Sequence, residues 1–467
     1  MRTPEQQRND LFAIWNAALN GVRVEHLLRK TVSLQNGTLV VAGESYLLKN
    51  FDRIVVLGGG KASGAMAQTL ENILEPLFDS KEIFGWVNVP EDCVKPLRKI
   101  HLHPARPAGV NEPTEAGVAG TSEIIRLAKE LTPDDLCICL ISGGGSALLP
   151  APVSGITLQD KQEITRLLSE SGADIQELNT VRKQISTVKG GGLKRLCAGK
   201  KLITLILSDV LGDPLDVIAS GPTVDNRTTA PEALNILYKY REIRAGHETK
   251  CNTSLNRVMQ YLQNKVNETA FPCLPPSCKT GFVRNIIIGN NAAAVESAGE
   301  EALRRNYSYT MYVAKESGDT AEETGVHLAK LALEMKYTGS DCLIHGGEPV
   351  VKLAPPELRG KGGRNQQLVL SALNYFLEHH PADKPFPIAF LSGGTDGEDG
   401  PTDAAGAYID AAMFQQVLGE KRNNPQFNLT EYLNRNDAYH FFERFGTLLK
   451  TGATGTNVCD VRIVLVQ

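Results

Sequence analysis

No apolar run in this 467-residue sequence exceeds about six residues (Leu136 to Ile141), far short of the ~20 that a membrane-spanning helix needs. Charge of one sign is also missing: 49 lysines and arginines face 53 aspartates and glutamates, and no basic stripe stands out. A surface that tracks nucleic-acid phosphates is therefore not expected. Nine cysteines, an odd number in a long chain, do not suit a disulfide framework, and no Cys or His spacing resembles a zinc site. Cys137 and Cys139 alternate within an apolar run and read as core residues. The N-terminus lacks the apolar centre of a signal peptide, and Glu5 and Asp10 argue against a transit peptide. The cytoplasm is the expected compartment, with the mitochondrion as the alternative. No repeat unit points to a solenoid.

What is abundant is glycine. The 43 glycines make up about 9% of the chain against the usual ~7%. The excess gathers at Gly58 to Gly60, Gly143 to Gly145, Gly190 to Gly192, Gly346 and Gly347, Gly360 to Gly363, and Gly393 to Gly397. It follows neither a collagen period nor a linker composition.

Helical and strand periods alternate along the chain. Thr3-Pro4-Glu5-Gln6 is a capping box with proline at the first helical position, and Leu11, Ile14, Trp15, Ala18 and Leu19 follow at helical spacing. Short apolar runs at Arg53 to Leu57, Ile83 to Val87, Leu136 to Ile141 and Leu202 to Leu207 alternate with helical stretches such as Leu158 to Glu170. Buried strands separated by helices predict a parallel, doubly wound α/β sheet. The pattern weakens between about His247 and Gly281, around Pro272, Pro275 and Pro276, and restarts at Val283 with further strands to Val461 to Val466. The expected division is a first domain over 1–246, a linker over 247–282 and a second domain over 283–467.

Most glycine clusters lie just after a strand and before a helix. At the carboxyl edge of an α/β sheet such loops let backbone N–H groups approach an anion. The first, Gly58-Gly59-Gly60-Lys61-Ala62-Ser63, misses the dinucleotide fingerprint at Ser63 and the P-loop at Val55 and Ala62. Lys61 still stands where a strand hands over to a helix. Ser142-Gly143-Gly144-Gly145-Ser146 offers two hydroxyls and a permissive backbone. Asn179, Arg182 and Lys183 share one helical face and lead to Lys189. Asp209 follows a buried strand and suits a magnesium ligand or a general base. In the second half, Glu348 follows Gly346-Gly347, Arg364 and Asn365 open a helix, and Thr395 and Asp396 begin a carboxylate-rich loop that lacks the ligand alternation of an EF-hand. On each of these loops a solvated side chain or a plain turn is the competing reading.

Together GGGKASG, SGGGSAL, NTVRKQIS, VKGGGL, SDVLGDPLDVIASGPT, GGEP, GKGGRNQQ, GGTDGEDGPTDAAGA and TGATGTNVCDVRIVLV resemble the glycerate kinases of the class that carries a MOFRL domain, from roughly Leu11 to Val466. The resemblance implies a two-domain α/β enzyme, with an N-terminal Rossmann-like domain and a MOFRL region over about 340–467. It places the active site in the cleft between them, and implies γ-phosphoryl transfer from ATP to D-glycerate with Mg²⁺, with 2-phosphoglycerate favoured over 3-phosphoglycerate. Lys61 and Arg364 take the positions regarded as catalytic in the family. The sequence departs from the family at Gln367, Ala453 and Cys459, where Glu, Pro and Asn are usual; the first puts a charged role at 367 in doubt.

Phosphoryl transfer needs positioning and charge compensation more than covalent chemistry, and this inventory of loops, cations and carboxylates matches it. Lys61 and Arg364 are assigned to the transferring phosphoryl group and the glycerate carboxylate. Asp209 and Asp396 are candidates for the metal ligand or the base. Gly59, Gly60, Ser142, Gly143, Gly144, Gly145, Ser146, Asn179, Arg182, Lys183, Lys189, Glu348, Asn365 and Thr395 are the expected substrate and phosphate contacts. Arg364→Ala is expected to abolish turnover while sparing the fold. A nucleotide-dependent oxidoreductase of a small hydroxy acid and a non-catalytic phosphosugar-binding module are the rival readings. Small-molecule ligands are expected in every case, with no nucleic-acid or membrane partner.

Overall fold

The computed structural model describes residues 2–110, 112–197, 201–243, 251–270, 282–316, 318–335, 337 and 339–467. Two compact units make up the chain. The first takes Leu28–Leu207 and Pro214–Ile288; the second takes Met1–Leu27, Ser208–Asp213 and Gly289–Gln467.

This differs from the expected division at both ends. The N-terminal helix Pro4–Gly21 has its Thr3 capping box, and its buried stripe of Leu11, Ile14, Trp15 and Ala18 finds its partners in the second unit, on helix Asn291–Arg304 and on strands near the C-terminus. Within the expected linker, 251–270 form a helix of the first unit, while 247–250 and 271–281 lie outside the described residues; 283–288, expected to open the second domain, belong to an edge strand of the first unit.

In the first unit, β1 (Val32–Gln35), β2 (Thr38–Val41) and β3 (Glu44–Leu47) form an antiparallel meander. Asn36 and Gly37, both left-handed with φ of 47° and 75°, make the tight turn between β1 and β2. The main sheet comprises β4 (Arg53–Gly59), β5 (Glu82–Pro90), β6 (Ile100–Arg106), β7 (Asp135–Ile141), β8 (Lys201–Leu207) and β9 (Val283–Gly289), in the order β6-β5-β4-β7-β8-β9. The pairs β4–β5, β5–β6, β4–β7 and β7–β8 are parallel. Ile54 to Leu57 and Leu136 to Ile141 are buried throughout, as strands covered on both faces must be. The strand order reverses between β4 and β7, and in doubly wound sheets the loops at that switch point bind the ligand. A helical layer of Leu158–Glu170, Ile175–Gln184, Ala230–Ile243 and Cys251–Ala270 shares a separate core including Ile164, Leu168, Val181, Leu237 and Leu262.

The second unit's sheet contains β10 (Tyr309–Val313), β11 (Cys342–Gly347), β12 (Ile388–Gly394), β13 (Gly406–Ile409), β14 (Leu448–Leu449) and β15 (Asp460–Val466), ordered β10-β11-β15-β12-β13-β14. Here the pairing is mixed. β10 and β11 are parallel, but β15 inserts antiparallel between β11 and β12, and β13 and β14 extend the edge antiparallel. A fully buried strand has the same apolar run in either direction, so sequence period cannot reveal this. The insertion places Asp460 opposite both Gly347 and Gly394, where β11 and β12 end. Helix Arg364–His379 packs on β12, β13 and helix Ala321–Met335. Among the described residues no helix is long and apolar enough to cross a membrane.

Candidate active site

At the switch point of the first unit, the loops after β4 and β7 lock into each other. A Cβ on Gly60 would lie 2.1 Å from Ser142 Oγ and 2.7 Å from its carbonyl oxygen, so only glycine permits this approach. Gly60 N–H donates to Asn88 O (3.2 Å), Lys61 N–H to Gly143 O (2.8 Å) and Ala62 N–H to Ser142 Oγ (3.0 Å). The first loop therefore uses its backbone donors internally, contrary to the expected anion cradle at Gly59 and Gly60, and Ser142 is a buried strut between the loops. What this loop presents is the half-buried side chain of Lys61.

The second loop is arranged differently. Gly144 is left-handed (φ 74°), and among the described residues no protein acceptor is paired with the N–H groups of Gly143 and Gly144. A Cβ built on Gly144 would sit 3.3 Å from Lys61 Cγ and 3.5 Å from Arg106 Nη2, so two cations flank this turn. Arg106 ends β6 and is buried.

A cavity of about 420 Å³ opens beside the same turn, lined by Gly144, Ser146, Lys161, Arg182 and Lys189 among others. Lys189 Nζ donates to Ser146 O and Oγ, both at 2.8 Å, and lies 3.5 Å from Ser220 Oγ. Burial, aided by the charges of Arg182 and Lys161, holds the Lys189 ammonium well below its ordinary pKa. Lys161 Nζ donates to Ile185 O (3.2 Å); burial and then Arg182 bring its pKa down to about 7. Burial also lowers Arg182. Of the other two members of the expected basic face, Lys183 pairs with Asp216 (3.1 Å), whereas Asn179 Oδ1 accepts from Ser220 Oγ (3.2 Å), the hydroxyl beside Lys189 and Ser146.

The second unit builds a different arrangement. Arg364 Nε and Nη2 donate to Asp460 Oδ2 and Oδ1 (2.7 and 2.9 Å), while Nη1 pairs with Glu348 Oε1 (2.7 Å). Burial opposes the Arg364 charge, but Asp460 and Glu348 more than restore it and raise its pKa. Burial raises the Glu348 carboxyl, and Arg364 pulls the other way. Glu348, expected to meet substrate, is first a partner of Arg364. Arg462, buried behind Asp460, lies 3.4 Å from its Oδ2 and donates to Gly347 O (3.3 Å).

Asp399 caps helix Arg364–His379 by accepting from the N–H groups of Asn365 (2.9 Å) and Gln366 (2.8 Å); its burial nevertheless lifts its pKa to about 7. Asn365 and Thr395, both buried, are turned inward. Asn365 Oδ1 accepts from Ser392 Oγ (2.5 Å), and Thr395 Oγ1 accepts from Val458 N–H (2.8 Å) and donates to Cys459 O (2.7 Å). They prop the site and offer a ligand little. Asp396 sits half-buried just after β12, and Cys459 Sγ donates to Asp209 O (3.0 Å).

Among the described residues, no group of three or more His, Cys, Asp or Glu side chains is placed to hold a metal ion. Magnesium usually takes only one or two carboxylates beside waters and substrate phosphates, so the donor chemistry of Asp396 and Asp209 fits it.

Sequence reasoning does not single out Lys161, Arg106, Asp399 or Asp460. Lys161 carries a signal: it stands three residues after Leu158 and three before Ile164, on the apolar stripe of its helix. Asp460 and Arg462 alternate in an otherwise apolar strand, which places two charges on one buried face.

Residues 10–255 match a family described as a domain of unknown function (DUF4147), and residues 341–460 match the MOFRL family. Glycerate kinase of Mus musculus is 35% identical over 100% of this chain and 94% of its own. D-glycerate 2-kinase of Thermotoga maritima is 34% identical over 89% of this chain and 91% of its own. The solved structure of a glycerate kinase from Thermotoga maritima superposes with a TM-score of 0.78 at 29% identity, covering 99% of this chain and 100% of that one. A Pyrococcus horikoshii OT3 structure gives 0.77 at 30% identity, covering 98% of each chain. On full-length identity, ordered motifs and fold alike, this chain belongs to the MOFRL-class glycerate kinases and is a kinase.

Proposed function

We propose that this enzyme transfers the γ-phosphoryl group of ATP to the C2 hydroxyl of D-glycerate, yielding 2-phosphoglycerate and ADP. The observation that carries the reading is the turn at Gly144: unpaired N–H groups flanked by Lys61 and Arg106, at the switch point of a doubly wound sheet. Such a turn suits an oxyanion and has little use in a fold that binds none. Membership in a kinase family sets aside the oxidoreductase and the non-catalytic module.

In the proposed reaction the hydroxyl oxygen bonds to the γ-phosphorus, the bond to the β–γ bridging oxygen breaks, and the hydroxyl proton passes to a carboxylate. Lys61 compensates charge on the phosphate oxygens. Arg364 spends two N–H donors on Asp460 and ion-pairs with Glu348 through Nη1; the rest of its guanidinium fork would serve the phosphoryl group or the glycerate carboxylate. Asp396 or Asp209 accepts the proton or holds Mg²⁺, which when bound would neutralise charge on the phosphate oxygens.

An ADP-release assay with D-glycerate, L-glycerate, hydroxypyruvate and simple sugars tests the reading. Release that depends on D-glycerate is expected. Release indifferent to D-glycerate, or stimulated by sugars alone, would refute it.

A further inference from the structure

The cavity beside Gly144 holds more positive charge than its surroundings balance. Lys161 is 6% exposed and Lys189 2%, and Arg182 has no described acceptor. Each nearby acid is engaged elsewhere. Asp160, on the same helix as Lys161, accepts from Ser254 Oγ (2.6 Å) and Arg257 Nη1 (2.8 Å); Asp216 takes Lys183; Glu112, bordering the cavity, faces the equally exposed Arg166 at 4.0 Å. Burying cations without counter-charge is costly, and a site serving packing alone would use apolar side chains of the same volume.

The donors are also only partly used. Lys161 gives one N–H to Ile185 O and retains two; the forked guanidinium of Arg182 retains its set. We infer that this cavity is a phosphate-binding subsite in which Lys161 and Arg182 grip the phosphate oxygens while Lys189, tied to Ser146, supplies charge from behind the turn. A phosphate brings close to two charges and several acceptor oxygens, which match three cations better than the single charge and two oxygens of a carboxylate. The inference rests on the kinase reading only for the phosphate's source, the nucleotide's tail or the product's phosphoester.

Binding should also move protons. Arg182, Lys189 and Arg166 are the cations facing Lys161 and Glu112 is the bordering acid; burial and then Arg182 bring the Lys161 pKa down to about 7. A bound dianion stabilises its charged form, so above that pH binding takes up a proton and affinity falls as pH rises.

Titration calorimetry on the full chain at pH 8, in two buffers of different ionisation enthalpy, tests this with inorganic phosphate, ADP, 2-phosphoglycerate and D-glycerate as probes. Inorganic phosphate should bind with proton uptake. Lys161→Met should weaken it about ten- to a hundredfold and lessen the uptake, while Lys161→Arg should keep the affinity. Arg182→Gln, on a different helix, should weaken binding and, by removing a charge that depresses Lys161, lessen the uptake without abolishing it; it serves should Lys161→Met fail to fold. Competition by ADP assigns the subsite to the nucleotide; competition by 2-phosphoglycerate without ADP assigns it to the product, and either supports a phosphate subsite. Unchanged affinity and proton uptake in folded Lys161→Met, or D-glycerate competing as well as phosphate, would overturn it. Phosphate binding without glycerate-dependent ADP release would sink the kinase reading and leave this one standing.

Discussion

Both units bury cations, but on opposite terms. In the first, Lys161, Arg182 and Lys189 line a cavity with no carboxylate paired to them; in the second, Arg364 is clasped by Asp460 and Glu348 and backed by Arg462. The first arrangement leaves charge to be completed by a ligand. The second completes it internally and fixes one guanidinium in position before any ligand arrives. Folding stability and ligand affinity should therefore respond oppositely to mutation in the two units.

The largest effects separate Lys61 from Arg364. A cation acting on a transferring phosphoryl group is worth ~10³-fold or more in rate, so Lys61→Met and Arg364→Ala should both nearly abolish turnover. Only the second should also unfold easily. Its loss takes two hydrogen bonds from the fully buried Asp460 and leaves Arg462, at 3.4 Å, as its remaining cation; hydrogen bonds to a charged group are worth about 1.5–3 kcal/mol each. The same variant tests the expectation that Arg364→Ala spares the fold. Urea denaturation that found the two variants equally stable would erase the contrast between the units.

The second unit should also carry a pH signature. Burial raises the Asp399 carboxyl to about 7 from an ordinary value of 3.8. Between those values the folded protein holds a proton that the unfolded chain releases, so stability should fall as pH rises from about 4 to 7. Asp399→Asn should flatten that slope; an unchanged slope in pH-dependent melting would place its origin elsewhere.

A smaller effect is expected at Gln367, whose Nε2 donates to Glu322 Oε1 and Leu433 O, both at 2.8 Å. Restoring the family's usual glutamate would replace a buried donor with an acceptor facing two acceptors. Gln367→Glu should cost about 1–3 kcal/mol with little change in kcat, readable in the same denaturation series. Smallest in stability is Gly144→Ala: a non-glycine residue in the left-handed region costs ~1–2 kcal/mol, and the added Cβ presses on Lys61. Here KM for ATP should rise more than the fold weakens; an unaltered KM would remove Gly144 from the phosphate site.

Much of this is legible in the sequence, because glycine clusters after apolar runs mark strand-to-helix loops and because the motifs are ordered along the chain. The capping box at Thr3 and the strands flanking Lys61 and Ser142 are found that way. Strand β6, with two histidines and Pro104 in seven residues, has no apolar run to betray it, so Arg106 at its end stays hidden. The place of β15 depends on chain direction, which period does not encode, and Asp460 is missed with it. Asn365, Thr395 and Ser142 are expected to touch ligand because they are polar and sit in glycine-rich loops; their burial turns them into struts. Lys161 is hidden by the opposite error, as a lysine within a helix that reads as ordinary.

Phosphoryl transfer to the C2 hydroxyl of D-glycerate can be read by ³¹P NMR of the full chain incubated with ATP, Mg²⁺ and D-glycerate. A new phosphomonoester resonance, split into a doublet by the single proton on C2, is expected. A triplet from the two C3 protons would contradict the product assignment, and the absence of any new phosphomonoester would contradict transfer to glycerate altogether.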